Sequence, residues 1–347
     1  MKTILVILDG ASEEGIKELR GLSPLDYAKT PAIHKIIKEG HHIKKKFYPE
    51  GRFPDSLSCI LTILGVNKSN IPENRAYLEA IAAGINIEKD EAVLRCNLIS
   101  IKNNKLESFN GKGLKPEEIS ALSKEIKSEN GLKFYHLKDY RNILVVKKKR
   151  EVLSLKNIPP HENLGIDIDE LFAGLNSIEL FKKFIEKNKF YLNDKQYMFY
   201  PWGVSETIIL PSFISLHNKT CSCVCGAEIM KGIAKAMNIA IPVLKNSTGD
   251  VDTDLKEKAE TVLKEIKKHD MVIAHINGTD EAAHRMDIQE KIAFIEKIDK
   301  DFIQLIHEKT NGIRIIILSD HQTSSITGKH EKGFVDYICN MKEENNG

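Results

Sequence analysis

A carboxylate and an imidazole follow the most apolar segment of this sequence. Residues 313–318 are aliphatic apart from one arginine, and Asp320 and His321 come just after them. Residues 2–8 form a second run of this type, which leads directly to Asp9. Apolar runs without alternation are typical of strands buried on both faces, and parallel strands present their carboxyl ends to the ligand crevice of an open α/β sheet. We therefore expect these three side chains to meet at one edge of a sheet.

A third apolar run, Met271–Ile276, leads to a further acid and a further histidine. Asp280 and His284 are four residues apart, so both side chains lie on one face if this segment begins a helix. His330 lies nine residues beyond His321, in an expected loop. Each feature alone is more typical of a protein surface, but three clusters at three strand ends of one expected sheet indicate a shared site.

These six carboxylate and imidazole side chains suit metal binding. Oxygen and nitrogen ligands without a thiolate favour Mn²⁺, Zn²⁺ or Mg²⁺ over copper or iron–sulfur chemistry. Together with a serine hydroxyl, the set is too large for one catalytic ion and suits two. Two neighbouring ions can act on both the attacking and the leaving oxygen of a phosphoryl transfer.

The serine in question is Ser56, which precedes an apolar helix expected to run through Leu64. From this segment alone, the favoured interpretation is that Ser56 is the N-cap of the helix and accepts hydrogen bonds from its first amides. The alternative is that its hydroxyl, at the positive end of the helix dipole, faces a phosphoryl group.

Length and composition limit the class of protein. The 347 residues suffice for one large or two ordinary domains, and 51 basic against 49 acidic residues give a net charge of +2. This balance gives no reason to expect a nucleic acid or a membrane surface as partner. No run approaches the roughly 18 apolar residues of a membrane-spanning helix, and the cysteines do not indicate a disulfide scaffold. We expect a soluble, cytoplasmic protein, and its oligomeric state stays open.

The order of strands and helices along the chain predicts the fold and the domain organisation. Towards the C-terminus, apolar strands alternate with amphipathic helices, as in a doubly wound, mostly parallel α/β sheet. Between residues 80 and 193 this alternation is lost, which is typical of an α+β module. We predict a core of residues 1–79 and 194–347 with an inserted smaller domain of residues 80–193, in which one helix runs from residue 169 to about 187.

The ordered site motifs resemble a known family. They are Asp9, Ser56, Thr279-Asp280-Glu281-Ala282 with His284, Asp320-His321 with Thr323, and His330. Further matching segments are Ser23 to Pro31, Arg95 to Leu98, Tyr140-Arg141, Pro159 to His161, Lys231 to Ala234 and Thr248 to Asp254. This set resembles the alkaline phosphatase superfamily, and more closely the archaeal-type cofactor-independent (2,3-bisphosphoglycerate-independent) phosphoglycerate mutases. The resemblance covers nearly the whole chain.

The resemblance implies an alkaline-phosphatase-like fold in which the inserted domain is a substrate-binding lid. It also implies two divalent ions, with Mn²⁺ favoured and Zn²⁺ or Mg²⁺ as alternatives, and no need for 2,3-bisphosphoglycerate. One ion would be held by Asp9, Ser56, Asp320 and His321, and the other by Asp280, His284 and His330. The implied substrate-binding residues are Arg95, Arg141, His161 and Lys231.

The implied activity is that of a glycolytic isomerase. Ser56 would take the phosphoryl group of 3-phosphoglycerate as a phosphoserine and return it to the 2-hydroxyl group of the bound glycerate. Positions beside Ser56 and after His321 depart from the family pattern. These departures leave Ser58 as an alternative nucleophile, and a phosphatase or homoserine-kinase-like phosphotransferase as the alternative activity.

Overall fold

The structure, a computed structural model, describes residues 1–127, 129–192 and 195–342. The chain divides into two compact units, which we call the core unit (Met1–Ile71 with Leu210–Gly347) and the inserted unit (Pro72–Ile209). The domain boundary predicted at residues 193 and 194 lies outside the described residues.

The elements have the following bounds. The strands of the described residues are, in chain order, β1 (Thr3–Leu8), β2 (His41–Lys45), β3 (Glu91–Lys102), β4 (Lys105–Ser108), β5 (Leu132–Lys138), β6 (Arg141–Lys147), β7 (Lys189–Leu192), β8 (Lys195–Ser205), β9 (Cys221–Cys225), β10 (Met271–Ile276), β11 (Arg314–Leu318), β12 (Gln322–Thr323), β13 (His330–Glu331) and β14 (Val335–Cys339). The α-helices are α1 (Pro24–Tyr27), α2 (Pro31–Glu39), α3 (Ser56–Ile63), α4 (Ala76–Ala82), α5 (Pro116–Lys124), α6 (Arg150–Leu153), α7 (Ile168–Asn176), α8 (Glu179–Lys187), α9 (Phe213–His217), α10 (Glu228–Ala236), α11 (Leu255–Glu265), α12 (Gly278–His284), α13 (Ile288–Ile298) and α14 (Gln304–Lys309). Among the described residues, no helix is both long enough and apolar enough to cross a membrane.

The core unit is built on a six-stranded sheet in the order β2-β14-β11-β1-β10-β9. Strands β11, β1, β10 and β9 are parallel, whereas β14 and β2 are antiparallel at one edge, so the mostly parallel sheet is confirmed. Ile4 and Val6 of β1 pack with helices α2, α11 and α13 on one face. Leu5 and Ile7 point to the other face and are also buried. The strands are apolar throughout because both faces of the sheet are covered.

The register of the central strands brings the candidate residues to one edge. Leu8 at the end of β1 pairs with Ile276 at the end of β10, and Ile7 pairs with Leu318 at the end of β11. The segments that carry Asp9, Asp280 and Asp320 therefore leave the sheet side by side.

The inserted unit contains a second six-stranded sheet, in the order β5-β6-β3-β8-β7 with β4 paired to β3, and its strand pairs are antiparallel. Phe172 of α7 and Phe181 of α8 cover one face, and Ala76 of α4 packs on the other. The unit begins before residue 80 because α4 packs on this sheet, and it extends past residue 193 because β8 pairs with β3.

The single helix predicted for residues 169–187 is wrong, because the segment forms α7 and α8. The Ser177 hydroxyl donates to the carbonyl of Gly174, and Ile178 has extended backbone angles. Serine side chains compete with helical hydrogen bonds in this way.

Asp336 of β14 is a buried carboxylate at the antiparallel edge of the core sheet. Its Oδ1 lies 2.7 Å from Lys44 Nζ and 2.8 Å from His42 Nε2, and its Oδ2 accepts a hydrogen bond of 2.6 Å from the Ser12 hydroxyl. Burial by itself raises the pKa of this carboxyl, but the three partners hold the pKa well below its ordinary value of 3.8.

We expect Asp336→Asn to lower the free energy of unfolding by about 2 kcal/mol near neutral pH, since hydrogen bonds to charged groups are worth about 1.5–3 kcal/mol and the amide replaces them only in part. A carboxyl with a depressed folded-state pKa stabilises the fold above its unfolded-state pKa, and this contribution is lost as the pH falls. Urea unfolding of both proteins should therefore show a difference that shrinks below about pH 3.8. A difference that does not change with pH would contradict this assignment.

Candidate metal centre

The first group of candidate ligands lies at the ends of β1 and β11. The ligand atoms of Asp9, Asp320 and His321 lie within 4.8 Å of one another, and all three residues are buried. His321 Nε2 lies 3.2 Å from Asp9 Oδ1 and 3.5 Å from Asp320 Oδ2. The amides of Gly10 and His321 both donate to Asp320 Oδ1, which orients this carboxylate. Two carboxylates and one imidazole can therefore share one cation here.

Ser56 is the first residue of α3, and the interpretation of Ser56 as N-cap is wrong. Asp55 is the N-cap, because its Oδ1 accepts the amide hydrogen of Ser58 at 2.9 Å. The Ser56 hydroxyl instead faces the first group, with Oγ 3.1 Å from His321 Nε2 and 3.4 Å from Asp9 Oδ1. The Ser58 hydroxyl donates to Asp55, and Ser58 is fully buried. Of the two serines, only Ser56 presents its hydroxyl to these ligands.

The second group of candidate ligands surrounds Asp280 in α12. The ligand atoms of Asp280, His321 and His330 lie within 4.8 Å of one another. His330 Nε2 lies 3.6 Å from Asp280 Oδ1, and His284 Nε2 lies 3.1 Å from Asp280 Oδ2. His321 therefore belongs to both groups, whereas His284 contacts the other oxygen of Asp280. The structure brings all seven predicted ligands into two adjoining groups.

The three histidines present the same ring edge to the site, because each Nδ1 lies against an oxygen. The distances are 2.8 Å from His284 to the Gly328 carbonyl, 3.1 Å from His330 to the Pro54 carbonyl, and 3.1 Å from His321 to the Thr323 hydroxyl. A carbonyl oxygen can only accept, so Nδ1 of His284 and of His330 carries a proton. In the neutral rings, Nε2 then carries a lone pair on the side of the carboxylates and can donate it to a cation, which is the tautomer that metal-binding histidines adopt.

Three buried atoms of the site make no hydrogen bond to any described residue: Asp9 Oδ2, Asp320 Oδ2 and His330 Nε2. An unsatisfied buried polar group costs about 1–3 kcal/mol. Lone pairs of carboxylates and imidazoles that face one another repel unless a proton or a cation lies between them. The donor set, with oxygen and nitrogen atoms and no thiolate, fits divalent cations.

The pKa values of the site reflect burial and the charges of the neighbouring ligands. Burial and the neighbouring Asp9 carboxylate raise the pKa of Asp320 to about 7. Burial disfavours the charged ring of His321, but the carboxylates of Asp320 and Asp9 raise its pKa to about 10. Burial and the charge of His321 lower the pKa of His330 to about 4. A bound cation would replace protons that these groups otherwise share, so metal binding should release protons.

Sequence reasoning missed His275 of β10. This residue is fully buried, and its Nε2 lies 3.0 Å from Asp9 Oδ2. It pairs with Ile7 of β1, two residues before Asp9. A signal was present, because His275 is the one polar residue of the run Met271–Ile276. A histidine inside a strand buried on both faces is costly without a charged or polar neighbour, and the carboxylate of Asp9 is that neighbour through an ion-pair contact, although the two atoms do not form a hydrogen bond.

Two of the predicted substrate-binding residues flank Trp202 in the inserted unit. The Arg95 guanidinium lies 4.2 Å from the Trp202 ring centroid, and its Nε donates to Glu79 at 3.0 Å. The ring centroid of His161 lies 5.7 Å from that of Trp202. Burial lowers the pKa of Arg95 to about 10, although the charge of Glu79 opposes this shift. Arg95 therefore stays charged near neutral pH and can bind an anion.

The other two predicted substrate-binding residues are Arg141 and Lys231. Arg141 begins β6 and pairs with Asn97 of β3, whose side chain accepts a hydrogen bond from the indole nitrogen of Trp202. Lys231 lies in the core unit on α10, which packs against α3, the helix of Ser56. Three of the four residues thus belong to the inserted unit, and the fourth lies on a helix that packs against α3.

A family model described as the metalloenzyme superfamily matches residues 1–346. The chain belongs to the metalloenzyme superfamily. Membership of this superfamily agrees with the two groups of oxygen and nitrogen ligands, which can hold divalent ions.

Relatives of this superfamily member include archaeal phosphoglycerate mutases. It is 27% identical to the 2,3-bisphosphoglycerate-independent phosphoglycerate mutase of Methanosarcina barkeri, over 97% of this chain and 89% of the relative. It is 28% identical to the enzyme of the same name, numbered 1, of Methanocaldococcus jannaschii, over 93% of this chain and 84% of the relative. These similarities confirm the resemblance inferred from the motifs.

Two solved structures share the fold of this metalloenzyme superfamily member. The PH0037 protein from Pyrococcus horikoshii superposes with a TM-score of 0.78 at 21% identity, over 97% of this chain and 87% of the other. The cofactor-independent phosphoglycerate mutase from Thermoplasma acidophilum superposes with a TM-score of 0.56 at 17% identity, over 98% and 90%. The mostly parallel α/β architecture predicted from the sequence, with a second, α+β unit, is confirmed.

Proposed function

We propose that this protein is a cofactor-independent phosphoglycerate mutase, which moves a phosphoryl group between the 3- and 2-hydroxyl groups of glycerate through Ser56. One observation carries the proposal: the Ser56 hydroxyl lies 3.1 Å from His321 Nε2, so it can act as a fourth ligand beside Asp9, Asp320 and His321. The names of the archaeal relatives support the choice of substrate.

The ligand assignment follows the two groups. Asp9, Ser56, Asp320 and His321 would hold one divalent ion, and Asp280, His284 and His330 would hold the other, with Mn²⁺ favoured over Zn²⁺ and Mg²⁺. When bound, such ions favour ionisation of the serine hydroxyl and neutralise charge on the phosphoryl oxygens.

The chain's own residues then have distinct tasks. The Ser56 oxygen attacks phosphorus and displaces the 3-oxygen of glycerate, which takes up a proton as the serine loses one. The 2-hydroxyl then gives up its proton, attacks the phosphoserine and displaces the Ser56 oxygen, which is protonated again. Its position as the first residue of α3 places it at the positive end of the helix dipole, which favours an anionic substrate. Arg95, Arg141, His161 and Lys231 are the proposed contacts to the phosphate and carboxylate of the substrate. The two guanidinium groups can bind either anion in a bidentate manner, whereas Lys231 would act as a point charge. The inserted unit has the proposed role of a lid that keeps water from the phosphoserine.

Product analysis tests this proposal. Protein freed of metal and then loaded with Mn²⁺, Zn²⁺ or Mg²⁺ is incubated with 3-phosphoglycerate, and phosphorus NMR follows the products. We expect 2-phosphoglycerate without inorganic phosphate, without added 2,3-bisphosphoglycerate, and only in the loaded protein. Inorganic phosphate as the main product would indicate a phosphatase. No reaction with any of the three ions would contradict the proposed substrate.

A further inference from the structure

Thr323 lies against three of the candidate ligands: Asp280, His321 and His330. Its hydroxyl donates to Asp280 Oδ1 at 2.6 Å and lies 3.1 Å from His321 Nδ1. In the short sheet of β12 and β13, Thr323 pairs with His330. The residue is fully buried, so water does not compete for its hydroxyl. The positions of Asp280, His321 and His330 are therefore all tied to one side chain and its backbone.

The Thr323 hydroxyl also fixes the protonation pattern of His321. A hydroxyl has one proton, and that of Thr323 is directed to Asp280, so only its lone pairs face His321. His321 must then donate from Nδ1, which leaves Nε2 facing Asp9 and Ser56. His321 belongs to both groups of ligands, so a change in the orientation of its ring would alter both groups.

Buried hydrogen bonds hold the backbone of Thr323 through both its amide and its carbonyl group. Its amide donates to the Ser12 carbonyl at 3.2 Å, and its carbonyl accepts from Lys291 Nζ at 2.8 Å. Lys291 is fully buried and pairs with Glu13 at 2.9 Å. Glu13 also accepts the amide and the hydroxyl of Ser325. Buried charges that are paired and hydrogen-bonded hold a fixed geometry, so this network restrains the segment that carries Thr323.

We propose that Thr323 is a positioning residue that sets the spacing of the two ion-binding groups, and that the Lys291–Glu13 pair holds it in place. The inference rests on the proposed two-ion function and adds a determinant of that site. Threonine suits this task because its branched β-carbon restricts the side-chain rotamer.

Binding of Mn²⁺ tests the proposal without any substrate. Calorimetric titration and electron paramagnetic resonance are applied to the wild-type protein, Thr323→Val and Thr323→Ser. Thr327→Val is the matched control, because Thr327 is an exposed threonine of the same loop whose hydroxyl faces Glu331. We expect Thr323→Val to weaken binding of at least one ion about 10–100-fold, as loss of a residue that orients metal ligands does. Its spin-coupled two-ion signal should weaken as well.

A comparison of Thr323→Ser with Thr323→Val shows whether ion binding depends on the hydroxyl of Thr323 or on the packing of its side chain. Thr323→Ser keeps the hydroxyl, so it should restore most of the affinity that Thr323→Val loses, and Thr327→Val should match the wild type. Wild-type affinity for both ions in Thr323→Val would overturn the proposal, as would equal losses in Thr323→Ser and Thr323→Val. If Thr323→Val does not fold, Thr323→Ala replaces it with the same expected loss, and unchanged affinity there has the same meaning. A wild-type protein that binds no second ion would instead overturn the proposed function.

Discussion

Ser56→Ala will abolish the conversion of 3-phosphoglycerate and leave the fold intact. The Ser56 hydroxyl faces Asp9 and His321, and without it no group remains to take the phosphoryl group. Loss of a nucleophile that forms a covalent intermediate costs roughly 10⁴-fold in turnover or more. The helix should be unaffected, because Asp55 and not Ser56 caps α3. Phosphorus NMR with the Mn²⁺-loaded variant measures the effect.

Ser58→Ala is the matched control for the nucleophile. The Ser58 hydroxyl donates to Asp55 Oδ2 at 3.1 Å, so its removal should cost about 1 kcal/mol of stability. Turnover should stay within about tenfold of the wild type, since no atom of the site is lost. Full turnover in Ser56→Ala, or its loss in Ser58→Ala alone, would show that the nucleophile is assigned wrongly. Binding of Mn²⁺ to the second group should survive in both variants.

Gly10→Ala will disrupt ion binding at the second group and reduce turnover more than about 100-fold. Gly10 has a φ of +59°, and a Cβ placed on it would lie 2.5 Å from both Asp280 Oδ1 and Thr323 Oγ1. Contacts this short are not tolerated, so Asp280, Thr323 or the backbone at Gly10 must shift, and we expect the geometry of the second group of ligands to change. Calorimetric titration with Mn²⁺ should show the loss directly, in addition to about 1–2 kcal/mol of backbone strain.

Gly21→Ala separates this intrusion from backbone strain. Gly21 has a φ of +81°, and a Cβ there would meet nothing within 4 Å. Its replacement should therefore cost about 1–2 kcal/mol of stability, as at Gly10, and leave Mn²⁺ binding unchanged. If Gly10→Ala and Gly21→Ala lose ion binding to the same extent, or if neither loses it, a Cβ at Gly10 does not disturb the second group of ligands and the prediction is wrong.

The sequence was sufficient to predict which strands precede the site residues, because strands buried on both faces appear in the sequence as continuous apolar runs. The runs before Asp9 and Asp320 are apolar without alternation, and the structure places their ends side by side. The four-residue spacing of Asp280 and His284 likewise predicted one helix face, and the two side chains are 3.1 Å apart. These inferences rely on local periodicity, which a single sequence displays.

The parts that the sequence did not predict depend on contacts between distant segments. His275 lies in the middle of an apolar strand, and its significance appears only when β10 pairs with β1. The helix cap was predicted at Ser56 but is Asp55, because the extended backbone of Asp55 lets its side chain reach the amide of Ser58. The extent of the inserted unit depended on the pairing of β8 with β3 across a gap of about ninety residues of sequence, which no local pattern shows.

Anomalous diffraction at the manganese absorption edge, from crystals of Mn²⁺-loaded protein, tests the two-ion site most directly. Two peaks are expected. One should lie among Asp9, Asp320 and His321 within reach of the Ser56 hydroxyl, and the other among Asp280, His330 and His284. A single peak, or peaks whose nearest side chains are not these residues, would contradict the two-ion centre.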